Sequence, residues 1–243
     1  MKNAEKIEGI LLVDKPQGWT SHDVCHFVRK RFQIKKVGHA GTLDPLATGL
    51  LVLLIGQATK SSQPLSASDK TYQGVLELGV ATDSHDRQGK VLQEAAWEHV
   101  TLEEIRAKAK SFTGSIIQVP PMVSALKRQG RRLYELSRRG ITVPREGRPI
   151  TVYEWSFQKK DGKFVHFFAS VSKGTYLRTL VHDLGESLGT LAALAELRRL
   201  ACGNFSLEDA VTVDSLKAFS LEELSKHILP LSRFSFHAAS PTA

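Results

Sequence analysis

Apolar residues along this chain fall into runs and stripes separated by turn-forming residues, and they predict a mixture of strands and helices. Gly9 to Lys15 (GILLVDK) reads as a short buried strand closed by a turn at Pro16, Gln17 and Gly18. Thr20 or Ser21 then caps a helix whose apolar face is Val24, Phe27, Val28 and Phe32. That leaves Arg29, Lys30, Arg31, Lys35 and Lys36 for the solvent side or the loop beyond, as a basic patch. A glycine-punctuated loop, Gly38 to Gly49, runs into the aliphatic strand Leu50 to Ile55, and polar residues at the mouth of a buried strand are a common site geometry. Lys70 to Leu78 predicts another strand and Thr82 to Gly89 a polar loop.

Further along, Thr101 and Glu104 form a capping box for a helix that turns Leu102, Ile105, Ala109 and Phe112 inward. Gln118 to Arg148, with prolines at both ends and dense Arg and Gly, reads as an excursion from the core. Ile150 to Gln158 and Phe164 to Lys173 are strand-like on either side of Asp161 and Gly162, a pair suited to a tight hairpin turn. Leu177, Leu180, Val181, Leu184 and Leu188 form one helical stripe, which Gly185 and Gly189 interrupt or end, and another helix is expected to follow through Leu200. Ser220 and Glu223 cap a last short helix. Helices mixed with antiparallel strands, without the regular alternation of a doubly wound sheet, predict an α+β fold.

Composition narrows the class. With 243 residues, 42% of them hydrophobic, the chain can bury a large core without staples. Cys25 and Cys202 lie far apart in no C-x-x-C pair, which argues against a disulfide framework or a cysteine-held zinc. The first residues mix charges, and Leu50 to Ile55 is too short to cross a bilayer, so a soluble, cytoplasmic protein without membrane association is expected. The formal net charge is +8, a balance that favours polyanionic partners. Lys127, Arg128, Arg131, Arg132, Arg138, Arg139, Arg145 and Arg148 face only Glu135 and Glu146, so most of the excess sits in the excursion. Taken alone, such a run is most simply a solvated face. Among the histidines only His22 and His26 stand at H-x-x-x-H spacing, and no metal site is expected.

The stretch Gly38-His39-Ala40-Gly41-Thr42-Leu43-Asp44-Pro45-Leu46-Ala47-Thr48-Gly49 carries the most chemistry. Its glycines permit close backbone approach, and Pro45 biases Asp44 away from helix, so a rigid loop would hold the carboxylate. Leu-Asp-Pro by itself would be no more than a turn. The full stretch resembles the central motif of the TruB-type tRNA pseudouridine-55 synthases. DKPQGWTSHDV (Asp14 to Val24), DKTYQ (Asp69 to Gln73), PPMVSALKRQGRRLYELSRRG (Pro120 to Gly140), VSKGTYLRTLVHDLG (Val171 to Gly185) and LRRLACGNFSLEDA (Leu197 to Ala210) are similar to the family's other motifs, in the family's order.

The resemblance, running from about Gly9 to about Leu231, implies a pseudouridine synthase fold with a mixed, largely antiparallel sheet flanked by helices. It implies isomerisation of the uridine at position 55 in the T-loop of tRNA, with no cofactor, no metal, no obligate protein partner and a monomeric enzyme. Asp44 would be the essential carboxylate, Arg178 its ion-pair partner near a helix start, and Tyr72 the ring stacked on the uracil. His39 would fill the space left by the flipped base, Tyr176 and Leu197 would line the base pocket, and Lys15 would support the active-site loop. Lys127, Arg128, Arg131, Arg132, Arg138 and Arg139 would touch the RNA backbone. The implied organisation is a catalytic domain over residues 1–231 with an insertion at about 118–149, a flexible tail at 232–243, and no C-terminal PUA domain. Two rival readings are a guide-RNA-dependent relative acting on ribosomal RNA and a non-catalytic tRNA-folding chaperone.

Overall fold

The computed structural model describes residues 7–124, 126–128, 130–137 and 139–231, so the expected tail at 232–243 and Arg138 lie outside the described residues. The chain divides into two compact units, one formed by Met1–Ser68 with Arg198–Ala243 and the other by Asp69–Leu197.

In the first unit, strand β1 (Gly9–Lys15) runs antiparallel to β3 (Thr48–Ile55) from the pair Gly9 with Ile55 to the pair Lys15 with Gly49. The opposite edge of β3 is shared. A short strand β2 (Val37–Ala40) pairs antiparallel with its second half, and Arg198 and Arg199 pair parallel with Thr48 and Gly49 at its start. Both faces of β1 and β3 are buried, which is why these strands read as unbroken aliphatic runs instead of alternating ones. Ile10, Leu12, Leu50, Val52 and Leu54 pack with Leu65, Cys202 and Phe205 in one core layer. Helix α1 (Ser21–Arg31) is capped by Thr20 in a complete capping box with Asp23, and it buries Val24 and Val28. The residues expected to form one loop from Gly38 to Gly49 thus begin in a strand. The aliphatic edge of β3 recruits Val37–Ala40 as a partner, a long-range pairing that the local glycines do not announce.

In the second unit, β4 (Lys70–Leu78), Phe164–Val171, Arg148–Asp161 and Gly114–Gln118 are joined successively by antiparallel pairing. The turn between the two middle strands has Gly162 at a φ of +57°, as an Asp-Gly hairpin requires. Gly74 is constrained by close approach, since a Cβ there would lie 2.7 Å from the Glu196 carbonyl oxygen and collide with the Phe167 ring. Trp155, Phe157 and Phe167 form an aromatic core, which Phe112 edges. Helix Leu102–Ala109 carries the expected capping box, and helix Leu177–Ser187 the expected apolar stripe.

One expected helix is absent. Ala192–Cys202 is a strand, passing from the second unit to the first at Arg198. Its Ala- and Leu-rich sequence favours helix locally, but the bridge from Asp86 to Leu194 and the pairing of Arg198 and Arg199 with β3 hold it extended, and tertiary pairing overrides propensity. Helices and mostly antiparallel strands make the fold α+β. Among the described residues no helix is long and apolar enough to cross a membrane.

Candidate active site

The first unit fixes the Asp44 loop through its backbone. Ser21, buried at the start of α1, uses its hydroxyl twice: it accepts from the Leu43 N–H at 2.8 Å and donates to the Leu43 carbonyl at 3.1 Å. The Gly18 N–H donates to the Pro45 carbonyl, and the Ala47 N–H closes a turn on the Asp44 carbonyl. Leu46 and Ala47 are buried beneath, leaving Asp44 half-buried at the rim. On the other side stands Arg199, 1% exposed, whose guanidinium donates to the carbonyls of Leu50 at 2.7 Å and Gly41 at 3.2 Å. Gly49 has a φ of +94°, and a Cβ there would run into the Arg199 backbone. The loop glycines therefore serve close approach and left-handed backbone, as their sequence suggested.

Lys15 lies at the end of β1, fully buried, with its ammonium donating to the carbonyls of Trp19 at 2.6 Å and Pro16 at 2.9 Å. Its pKa is lowered to about 8, chiefly by burial; the negative charge of Asp44 opposes the fall, Arg199 adds to it, and Asp23 opposes it. Lys15 thus ties the turn before α1 and contributes positive charge to the environment of Asp44. His39, in β2, is half-buried with an Nδ1 that has no hydrogen-bond partner, and burial, Arg199 and His22 all favour its neutral form. A neutral ring suits a space-filling role that needs no charge. Arg198 makes a two-pronged contact to Asp14, at 2.6 and 3.1 Å, next to the pair that joins β3 to the strand from Ala192.

The second unit holds Tyr72, Tyr176, Arg178 and Leu197. Tyr72 is buried on β4 opposite Ala169. Arg178 is the second residue of its helix and only 3% exposed. Its guanidinium donates to the carbonyls of Ser84 at 2.9 Å and Val123 at 2.8 Å and lies 3.5 Å from the buried Asp86 carboxylate. Asp86 in turn accepts from the Ser84 hydroxyl and the Gln88 N–H. The Thr82–Gly89 segment, read from sequence only as a polar loop, is thus an arginine receptor. Between Ser84 and Asp86, His85 sits at a φ of +63°, stacked 3.9 Å from His182. Its pKa is lowered to about 4 by burial, with His182, Arg178 and Arg145 adding to the effect.

Tyr176 is held by Gln118, whose side chain accepts from the Tyr176 N–H at 2.9 Å and donates to its carbonyl at 3.1 Å. Leu197 is half-buried. The excursion leaves and re-enters at one point, since Gln118 and Arg148 are ladder partners. Within it Lys127–Arg128 pairs with Arg131–Arg132, and Leu133–Ser137 is helical. Arg131, Arg132 and Arg139 are exposed. Its first residues are not free, because Val123 accepts from Arg178.

The sequence marks Ser21 only as a candidate helix cap and Gln118 only as the start of the excursion, and it gives Arg199 and Asp86 no role at all. Only Arg199 and Ser21 sat inside quoted motifs, and nothing local marked any of the four as buried and hydrogen-bonded to loop backbone. Likewise unmarked by the sequence pattern, His182, Asp183 and Glu186 offer ligand atoms within 4.8 Å of one another on one helix.

Two family models match the chain in succession. Residues 29–177 match the TruB family pseudouridylate synthase N-terminal domain, and residues 178–234 match the tRNA pseudouridylate synthase B C-terminal domain. The chain belongs to the TruB family of pseudouridylate synthases. More particularly, it is similar to the tRNA pseudouridine synthase B of Opitutus terrae, 46% identical over 93% of this chain and 94% of that protein. The tRNA pseudouridine synthase B of Actinobacillus pleuropneumoniae is 47% identical over 95% of this chain and 76% of that one. Among solved structures, a chain in the crystal structure of a Cbf5-Nop10-Gar1 complex matches with a TM-score of 0.70 and 31% identity. That match covers 91% of this chain and 60% of the solved one. The fold is that of the pseudouridine synthases.

Proposed function

We propose that this protein isomerises the uridine at position 55 in the T-loop of tRNA to pseudouridine, with Asp44 as the essential carboxylate. The observation that carries the reading is near-full-length similarity to tRNA pseudouridine synthase B proteins, joined to a rigidly held Asp44 loop. The reaction breaks the N1 glycosidic bond, turns the uracil and rejoins it through C5, with no net change in composition. A stacked target base must first leave its helix, at a cost of a few kcal/mol. His39, half-buried and favoured in its neutral form, fits the role of occupying the vacated space.

In this reading Tyr72 supplies a ring against the uracil, Tyr176 and Leu197 complete the base pocket, and Arg178 supports the charge of Asp44. The receptor formed by Ser84, Asp86 and Val123 supports such a role, because it fixes the guanidinium before substrate arrives. The exposed Arg131, Arg132 and Arg139, with Lys127, Arg128 and Arg138, contribute phosphate contacts from the insertion. Reaction in the cytoplasm by a single chain, without cofactor, metal or protein partner, completes the proposal.

The test is to incubate the protein with unmodified tRNA and map new pseudouridines by base-resolved chemistry, with Asp44→Asn alongside. One new pseudouridine at the T-loop uridine with wild type, and none with Asp44→Asn despite retained tRNA binding, is expected. Modification elsewhere, or wild-type turnover by the variant, would overturn the assignment.

A further inference from the structure

The basic patch that follows the first strand is unused by the reading above. Beside it the structure shapes a cleft of about 820 Å³ in the first unit, lined by Trp19, Asp23, His26, Phe27, Lys30 and Arg31 along with Gly18. Its aromatic floor is built, since Trp19 and Phe27 meet edge to face with centroids 5.8 Å apart. Trp19 is held from below, its carbonyl accepting from the buried Lys15 ammonium at 2.6 Å. Two of the lining residues, Lys30 and Arg31, are cations; exposed Arg29 shares the last turn of α1 with them, and exposed Lys35 and Lys36 follow in the chain. Asp23, the one carboxylate among the lining residues, is engaged in capping α1 through Thr20.

An aromatic floor beneath a cationic rim is the chemistry that holds a single-stranded nucleotide: the base stacks and the phosphates meet lysine and arginine. The cleft also adjoins the reaction loop by a direct bond. Gly18, at its edge, donates its N–H to the carbonyl of Pro45, the residue after Asp44. We propose that this cleft is a second RNA subsite, in which an unpaired nucleotide of the substrate stacks on Trp19 while Arg29 and Lys30 contact its phosphates. It rests on the tRNA reading above and adds to it a contact surface separate from the arginine-rich insertion. Arg31 has a different task, donating to the carbonyls of Lys217 and Phe219 and so anchoring the end of α1.

The experiment measures equilibrium binding of unmodified tRNA over a salt series, and photocrosslinking of the same tRNA carrying 4-thiouridine, using the full chain. The doubly substituted Arg29→Gln, Lys30→Gln protein should lower the slope of log affinity against log salt by about two units. Trp19→Ala should weaken binding by about tenfold, Trp19→Phe should retain most of it, and the crosslinked peptide should contain Trp19. An unchanged salt slope in the double variant, or crosslinks confined to other peptides, would make the patch a solvated face and overturn the inference. Should Trp19→Ala not fold, the exposed Arg29 and Lys30 pair decides alone. Wild-type protein that modifies tRNA while the cleft variants bind normally sinks only this subsite, whereas wild type that neither binds nor modifies tRNA sinks the functional reading as well.

Discussion

Lys15→Met is the perturbation whose energetics the structure defines most sharply. The ammonium is fully buried, and its pKa falls from 10.5 to about 8, chiefly through burial. Below pH 8 the native and unfolded chains both carry this proton. Between about 8 and 10.5 only the unfolded chain does, so the unfolded state binds more protons and Lys15 makes stability rise with pH. At about 1.4 kcal/mol per unit, the contribution is on the order of 3 kcal/mol across that window. Methionine has no such titration. At neutral pH it relieves the buried charge but leaves the Pro16 and Trp19 carbonyls without their donor, a loss of about 1.5–3 kcal/mol each. The two effects largely offset, and the variant should be modestly destabilised at pH 7. Wild type should then gain about 3 kcal/mol over it by pH 10.5, the other lysines cancelling in the difference. Urea unfolding of both proteins from pH 7 to 10.5 measures this directly. Two curves that stay parallel would refute the reasoning.

Arg199→Met removes the donor to the Leu50 and Gly41 carbonyls, and it should cost about 3 kcal/mol in unfolding free energy while lowering kcat more than it raises KM; unchanged kinetics would show that the Asp44 loop holds itself. Arg178→Lys should be severe, since a point charge cannot serve the Ser84 and Val123 carbonyls and the Asp86 carboxylate with a planar fork, and near-normal turnover at saturating tRNA would remove Arg178 from the mechanism. Tyr72→Phe and Tyr72→Ala should separate in turnover, the first keeping the ring and the second losing it; equal behaviour eliminates a stacking role. Neutralising Arg131, Arg132, Arg138 and Arg139 together should lower the salt slope of tRNA binding by up to about four units, measured as affinity at several salt concentrations.

Local rules carried the sequence a long way. A helix cap at Thr20 or Ser21, the capping pairs at Thr101 and Ser220, the buried strands at Gly9–Lys15 and Lys70–Leu78, the Asp-Gly hairpin and the amphipathic helix at Leu177–Ser187 are all legible because their causes lie within a few residues. Quoted motifs likewise marked out Asp44, Tyr72 and Arg178 as candidates. The tertiary structure decided what depends on distant partners. Ala192–Cys202 became a strand because β3 and Asp86 pair with it, against its own helical composition. Arg199, which as an isolated arginine would be expected at the surface, became one of the most buried side chains because its guanidinium meets carbonyls some 150 positions away. Ser21 clamps Leu43 and Gln118 clamps Tyr176 by the same kind of contact. A hydrogen bond to a remote carbonyl leaves no periodicity and no spacing in the sequence, so only the folded chain could show which polar residues hold the loops in place.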